Sequence, residues 1–150
     1  MPSRSTLTLL MTSRVGAMLV GAMACAGGAA AAEPRRDSYV QQAQDIAVRQ
    51  PGPHEGTGVT TAYPFFEDAA GFDIVFRQRA LHPGASIGKH LNDKDEIYYV
   101  LAGCGELTLD GTRRDVRPGD AVLTRAGSTH ALRQIGGEDL VIIVVYPRRD

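Results

Sequence analysis

Four residues carry the chemistry this sequence could perform: His90, Asn92 and Glu96 in the stretch GKHLNDKDE, and His130 forty positions after the first of them. Two imidazoles and one carboxylate form a 2-His-1-carboxylate set. Such a set binds a divalent metal and leaves coordination positions open for water, substrate or dioxygen. Asn92 offers only a neutral amide oxygen, weaker than imidazole toward transition metals. It could complete the shell as a weak fourth ligand, hold a metal-bound water, or hydrogen-bond a ligand. The plainer reading of His90 and His130 is that both are interior histidines satisfied by their neighbours.

Other residues could contact a ligand. Arg77 and Arg79 share a strand face, and two guanidiniums at a barrel mouth suit a carboxylate or phosphate; an exposed strand face is the alternative. Arg125 lies in the loop before His130 and is a second candidate for anion contact. Tyr98 and Tyr99 point to opposite sides of one strand, so one packs while the other can line a cavity. Asp93 and Asp95 flank Lys94 and read as a solvated turn. His54 in a glycine-rich loop and His82 before Pro83-Gly84 read as exposed or turn histidines, and Cys104 between two glycines as a half-buried turn thiol.

The elements that must position these groups are short strands. In FDIVFRQR, Phe72, Ile74 and Phe76 alternate with Asp73, Val75 and Arg77, the period of a strand with one buried face. IYYVL, ELTLD, TRRDV, AVLT, THALRQI and LVIIVVY follow, separated by Gly and Pro turns, which indicates a sandwich or barrel. Asp110-Gly111 is a hairpin turn, because both residues tolerate positive φ. LVIIVVY is apolar on both faces, so one side faces the interior and the other needs cover from an N-terminal helix or a second subunit. Glu33 to Gln50 has apolar residues at helical spacing and is expected to form one short helix.

Written with its spacings, the chain reads Gly84-x5-His90-x-Asn92-x3-Glu96-x6-Gly103, then Gly119-x5-Arg125-Ala-Gly127-x2-His130-x3-Gln134. This resembles the cupin superfamily, whose motifs are G-x5-H-x-H-x3-4-E-x6-G and G-x5-P-x-G-x2-H-x3-N. The resemblance runs from about Phe72 to Tyr146. Asn92 stands where the family has its second histidine, Arg125 where it has proline, and Gln134 where it has asparagine. The resemblance implies an all-β fold, a single cupin β-barrel of the double-sheet jelly-roll kind. It also implies one divalent metal (Fe, Mn, Ni or Zn) on His90, Glu96 and His130. Tyr98, Arg77 and Arg125 are the candidate substrate contacts beside it.

Length and composition frame this reading. At 150 residues and 43% hydrophobic the chain can bury one core. A charge of -1 and a pI near 6.4 give no footprint for nucleic acid. Residues 1 to 32 join a basic start, a weakly apolar Gly/Ala-rich middle and an Ala-Ala-Ala end, the parts of a signal peptide cleaved after Ala32. Export to the periplasm or beyond follows as an expectation, with no stable membrane insertion of the mature chain. Removal would leave 14 Lys+Arg against 17 Asp+Glu, a charge of -3, and Cys104 as the sole cysteine. The expected organisation is signal peptide 1–32, N-terminal helix and arm 33–70, and barrel 71–147, assembled as a homodimer. Function is expected to be small-molecule metalloenzyme chemistry (dioxygenase, isomerase or lyase), with non-catalytic binding of a sugar or carboxylate as the alternative.

Overall fold

A computed structural model describes residues 37–148. The signal peptide expected over 1–32 lies outside the described residues. Ten strands follow one 3-10 turn, Ala43–Asp45: β1 Val48–Pro51, β2 Val59–Phe65, β3 Ile74–Leu81, β4 Ser86–Leu91, β5 Glu96–Ala102, β6 Cys104–Leu109, β7 Thr112–Val116, β8 Ala121–Thr124, β9 Thr129–Ile135 and β10 Leu140–Pro147. They form a six-stranded sheet, in the order β1-β2-β3-β10-β5-β8, and a four-stranded sheet, in the order β4-β9-β6-β7. The fold is the all-β, two-sheet jelly roll that the family resemblance implied, within the sandwich or barrel class indicated by the strand pattern. Among the described residues, no helix is long and apolar enough to cross a membrane.

Strict alternation places the interior side chains. On β5, Glu96, Tyr98 and Val100 are buried while Ile97 and Tyr99 are exposed, and on β9 His130, Leu132 and Gln134 are buried. Leu81, Ile87, Val100, Leu107, Leu132, Leu140 and Ile142 form the apolar core. The interior therefore has an apolar region and, at Glu96, Tyr98 and His130, a polar one. β10 sits between β3 and β5, which explains its two apolar faces: Leu140, Ile142 and Val144 are buried, and Val141, Ile143 and Val145 are half-buried.

Asp110 and Gly111 turn between β6 and β7 at φ 48° and 81°, the hairpin expected of that dipeptide. Gln134, at the family's asparagine position, keeps a structural task. Its Oε1 accepts from Gly84 N at 2.9 Å, and its Nε2 donates to the carbonyls of Ile135, Gly136 and Glu138, tying the turn before β10.

Three expectations change. The helix over 33–50 is not formed in the described part: after the 3-10 turn, Val48–Pro51 pairs antiparallel with β2, from Val48↔Ala62 to Pro51↔Val59. Ladder hydrogen bonds to an open sheet edge outweigh a weak helical spacing in a short polar segment. The six-stranded sheet thus begins well before residue 71. On β3 the inward face is the other parity from the one its apolar residues suggest: Ile74 is 44% exposed, whereas Arg79 is 5% exposed. Finally, Cys104 opens β6 as an exposed residue and not as a half-buried turn thiol.

Candidate metal centre

β4 and β9 pair with His90 directly opposite His130, and β5 starts with Glu96 pointing into the same space. The donor atoms of His90, Glu96 and His130 all lie within 4.8 Å of one another. Ligands around a metal with bonds of about 2.0–2.2 Å stand up to about 4.4 Å apart, so small side-chain adjustments suffice to close the set. A register shift between Ile87 and His90 marks a bulge in β4. The bulge lets the Gly88 carbonyl accept from His90 Nδ1 at 2.9 Å. A carbonyl only accepts, so Nδ1 carries the proton and Nε2 keeps its lone pair, the arrangement usual for a metal-ligating imidazole.

His130 is 1% exposed. Its Nε2 lies 2.9 Å from the Tyr98 hydroxyl and 3.4 Å from Glu96 Oε2. Burial, with His90 and His54 nearby, lowers its pKa from 6.5 to about 4, so the ring is neutral at pH 7 and free to donate a lone pair. Burial raises the pKa of Glu96, opposed by the Tyr98 hydroxyl, His90 and the Asn92 amide. Burial likewise holds the Tyr98 hydroxyl protonated, well above its ordinary pKa.

Asn92 lies just past the end of β4, not on the strand beside His90. Its backbone N–H donates to Ser128 and its carbonyl accepts from Gly127, and the side chain is 5% exposed. Although the amide reaches the Glu96 field, Nδ2 makes no hydrogen bond of ordinary geometry. Asn92 Nδ2, Glu96 Oε2 and His130 Nδ1 are three of the four buried side-chain polar atoms without a hydrogen-bond partner among the described residues. Orphaned polar atoms are costly and call for an explanation, and their clustering at one donor set fits a bound metal and its water. This observation favours ligation over satisfied interior histidines.

Next to the donor set is a cavity of about 110 Å³, bounded by His54, Arg77, Arg79, Glu96, Tyr98 and Tyr146 among others. Drug-sized ligands occupy about 300–1,000 Å³, so this space suits a molecule of a few heavy atoms. Arg79 is 95% buried by exposure of 5%, its Nη1 donating to Thr60 Oγ1 at 2.9 Å. With the Gln50 amide oriented to satisfy both groups, Gln50 Oε1 also accepts from Arg79, at 2.7 and 3.1 Å. Among the described residues no carboxylate pairs with it. Burial, then the neighbouring Arg77, lowers its pKa. Arg77 reaches Glu67 at 3.4 Å, and its Nε is the fourth orphan.

The remaining candidates separate from this space. Arg125 is exposed and pairs with Asp95 at 3.2 Å, away from the cavity walls, and Asp95 also accepts from Ala126 N. Asp93 contacts Lys94 at 3.0 Å. Tyr99 faces solvent, so Tyr98 is the inward tyrosine. His82 bridges Thr61 and Asp139 at 2.9 and 3.0 Å. His54 is exposed in its loop as expected, but it is not remote from the site. Its ring stacks on His90 with centroids 3.5 Å apart and planes 6° off parallel. Loop residues carry no periodicity, so only proximity in the fold could reveal His54. A larger hollow of about 540 Å³ beside Tyr39, Phe66 and Phe72 lies apart from these groups.

The two sheets, the inward donor set and its neighbouring cavity now stand beside known proteins. The family described as "Cupin domain" matches residues 78–146, which span every proposed metal ligand. The chain carries a cupin domain. The cupin domain is 33% identical over 72 residues to the "Oxalate-binding protein" of Thermotoga maritima, covering 47% of this chain and 60% of the relative. It is 30% identical over 66 residues to a "5-nitrosalicylic acid 1,2-dioxygenase" of Bradyrhizobium sp, covering 44% of this chain and 32% of the relative. The matches thus span less than two thirds of either relative's length. Among solved structures, a predicted oxalate decarboxylase from Thermotoga maritima superposes with a TM-score of 0.67 at 26% identity, covering 74% of this chain and all of that one. The polyketide cyclase RemF from Streptomyces resistomycificus gives 0.63 at 27% identity, covering 75% and 81%.

Proposed function

We propose that this cupin domain holds one divalent metal through His90, Glu96 and His130 and binds a small carboxylic acid between that metal and Arg79. The observation that carries the reading is Arg79, a buried guanidinium on the cavity wall without an ion-pair partner among the described residues. Buried charges are normally paired, and an anionic ligand would supply the missing partner. The names of the oxalate-binding relative and of the dioxygenase, which concern small acids, support the same class. A bound Fe, Mn, Ni or Zn ion would supply Lewis-acid or dioxygen chemistry. His90, Glu96 and His130 would be its ligands, Arg77 and Arg79 would orient the acid, and Asn92 would hold a water or a ligand oxygen.

A second reading, turnover in place of binding, is favoured by the Tyr98 hydroxyl, a proton-bearing group buried 2.9 Å from His130. Positioned so, it could give a proton to a reacting oxygen. Calorimetric titration of metal-loaded and chelator-stripped protein with oxalate, acetate and glucose tests the first reading. Metal-dependent binding of the acids supports it; sugar binding alone, or acid binding indifferent to metal, contradicts it.

We also propose that the chain is exported, on the composition of residues 1–32 alone, and that it forms a homodimer. A second copy would cover the outer face of the six-stranded sheet, where Ile97, Tyr99, Leu101 and Leu123 are 43–51% exposed beside the half-buried outer residues of β10.

A further inference from the structure

The loop over residues 52–58 lies beside the site, Pro53 and His54 lining its cavity, as a strap fastened to β4. Ser86 N donates to Thr57 O and Gly88 N to Pro53 O, both at 3.0 Å, while Thr57 N donates to Ser86 Oγ at 2.8 Å. The approach is closer than side chains permit: a Cβ on Gly88 would collide with the His54 carbonyl, and one on Gly52 or Gly56 with the Ser86 carbonyl. Such glycines mark a place where one backbone must lie against another. The strap also holds His54 and Glu55 at φ 54° and 59°. Left-handed backbone at consecutive non-glycine residues is strained and persists only where the surroundings impose it.

This strained, fastened loop delivers one side chain to the site. The His54 ring lies flat on His90 and forms part of the wall of the cavity that also holds Arg77 and Arg79. The fastening runs on to the donor set: the Gly88 N–H is held by the strap, and the Gly88 carbonyl accepts from His90 Nδ1. His54 has no hydrogen-bonding partner of its own among the described residues. It lies outside the set of donors that converge within 4.8 Å, so it faces the ligand space without joining the metal ligands.

We propose that His54 contacts the bound ligand directly and, together with Arg79, anchors the second carboxylate of a short dicarboxylate whose first carboxylate lies toward His90, Glu96 and His130. The proposal rests on the metal-and-acid reading above. An anchor at each end of the ligand, in a cavity of about 110 Å³, would select for length and for charge at both ends. The strap keeps the outer anchor in place before the ligand arrives.

The experiment compares wild type with His54→Ala and His54→Gln, measuring metal per chain by elemental analysis and the binding of oxalate and acetate by calorimetry. His54→Ala is expected to keep its metal and its acetate affinity while oxalate weakens roughly tenfold, the loss of one charge-assisted contact. His54→Gln, which retains an N–H donor, recovers part of that loss. Unchanged oxalate affinity in a metal-loaded His54→Ala protein overturns the proposal, and so does loss of metal, which would make His54 a ligand. A wild-type protein that binds neither metal nor acid overturns the underlying reading and the proposal with it. Gly88→Ala, if it folds with its metal, should reproduce the oxalate defect with His54 intact; normal oxalate binding there contradicts the role of the strap.

Discussion

His90 and His130 face each other across the β4–β9 ladder with ring centroids 4.2 Å apart. Beside them the buried carboxylate oxygen Glu96 Oε2 has no hydrogen-bond partner among the described residues; a cation held by both imidazoles and Glu96 would supply one, and its bound water would accept from the Asn92 Nδ2 donor. The consequences can be measured residue by residue.

Asn92 is the point at which the donor set can be strengthened. Its amide is 5% exposed with Nδ2 unpartnered, so Asn92→His places an imidazole where the cupin motif has one. Metal affinity should rise tenfold or more, measured by competition with a chelator. An unchanged or weaker affinity would mean that the Asn92 side chain does not point at the metal position.

Arg79 should matter to the ligand and little to the fold. An unpaired buried cation carries its own desolvation cost, so an apolar residue of similar length relieves that cost while giving up the hydrogen bonds to Thr60 and Gln50. Arg79→Met is therefore expected to shift the melting temperature by no more than a few degrees, keep the metal and weaken the binding of oxalate at least tenfold. Acid binding at wild-type strength would remove Arg79 from the site.

Acid should destabilise the metal-free protein through His130. Its folded pKa of about 4 lies below the unfolded 6.5, so the unfolded chain binds the extra proton in between. Stability from this group is complete above pH 6.5 and is lost as pH falls toward 4, by up to about 3 kcal/mol. Glu96, whose pKa is raised, works in the opposite sense and offsets part of the loss. Urea unfolding of chelator-treated protein across this range should show falling stability, and His130→Gln should flatten the profile. A profile that stays steep in that variant would assign the effect to other groups.

Association can be read from sedimentation. With Ile97, Tyr99, Leu101 and Leu123 exposed on one face, a dimer is expected at micromolar concentration and a monomer for Leu123→Lys with Ile97→Lys. A monomeric wild-type chain contradicts this.

The fold and the donor set were readable because both rest on spacing. Turns at regular intervals outline the strands, and the interval from Gly84 to Gly103 ties His90 to Glu96 whatever lies between. Alternation reports which residues share a face but not which face turns inward. On β3 the apolar Ile74 and Phe76 point outward, with Phe76 packing on Phe65, because the opposite parity must line a polar cavity. Spacing alone therefore left Arg77 and Arg79 open between an anion-binding pair and an exposed strand face. His54 was concealed because it comes from a loop whose path over β4 depends on glycine contacts distant in sequence. The expected N-terminal helix failed because local spacing cannot weigh the free edge of β2 against it.

Metal content decides the central claim. Elemental analysis of purified protein, grown in metal-supplemented medium and dialysed, should find close to one divalent metal per chain in wild type and much less than one in Glu96→Ala and His90→Ala. A folded wild-type protein that carries no metal after supplementation and reconstitution, or an Glu96→Ala protein that carries as much as wild type, would contradict the account.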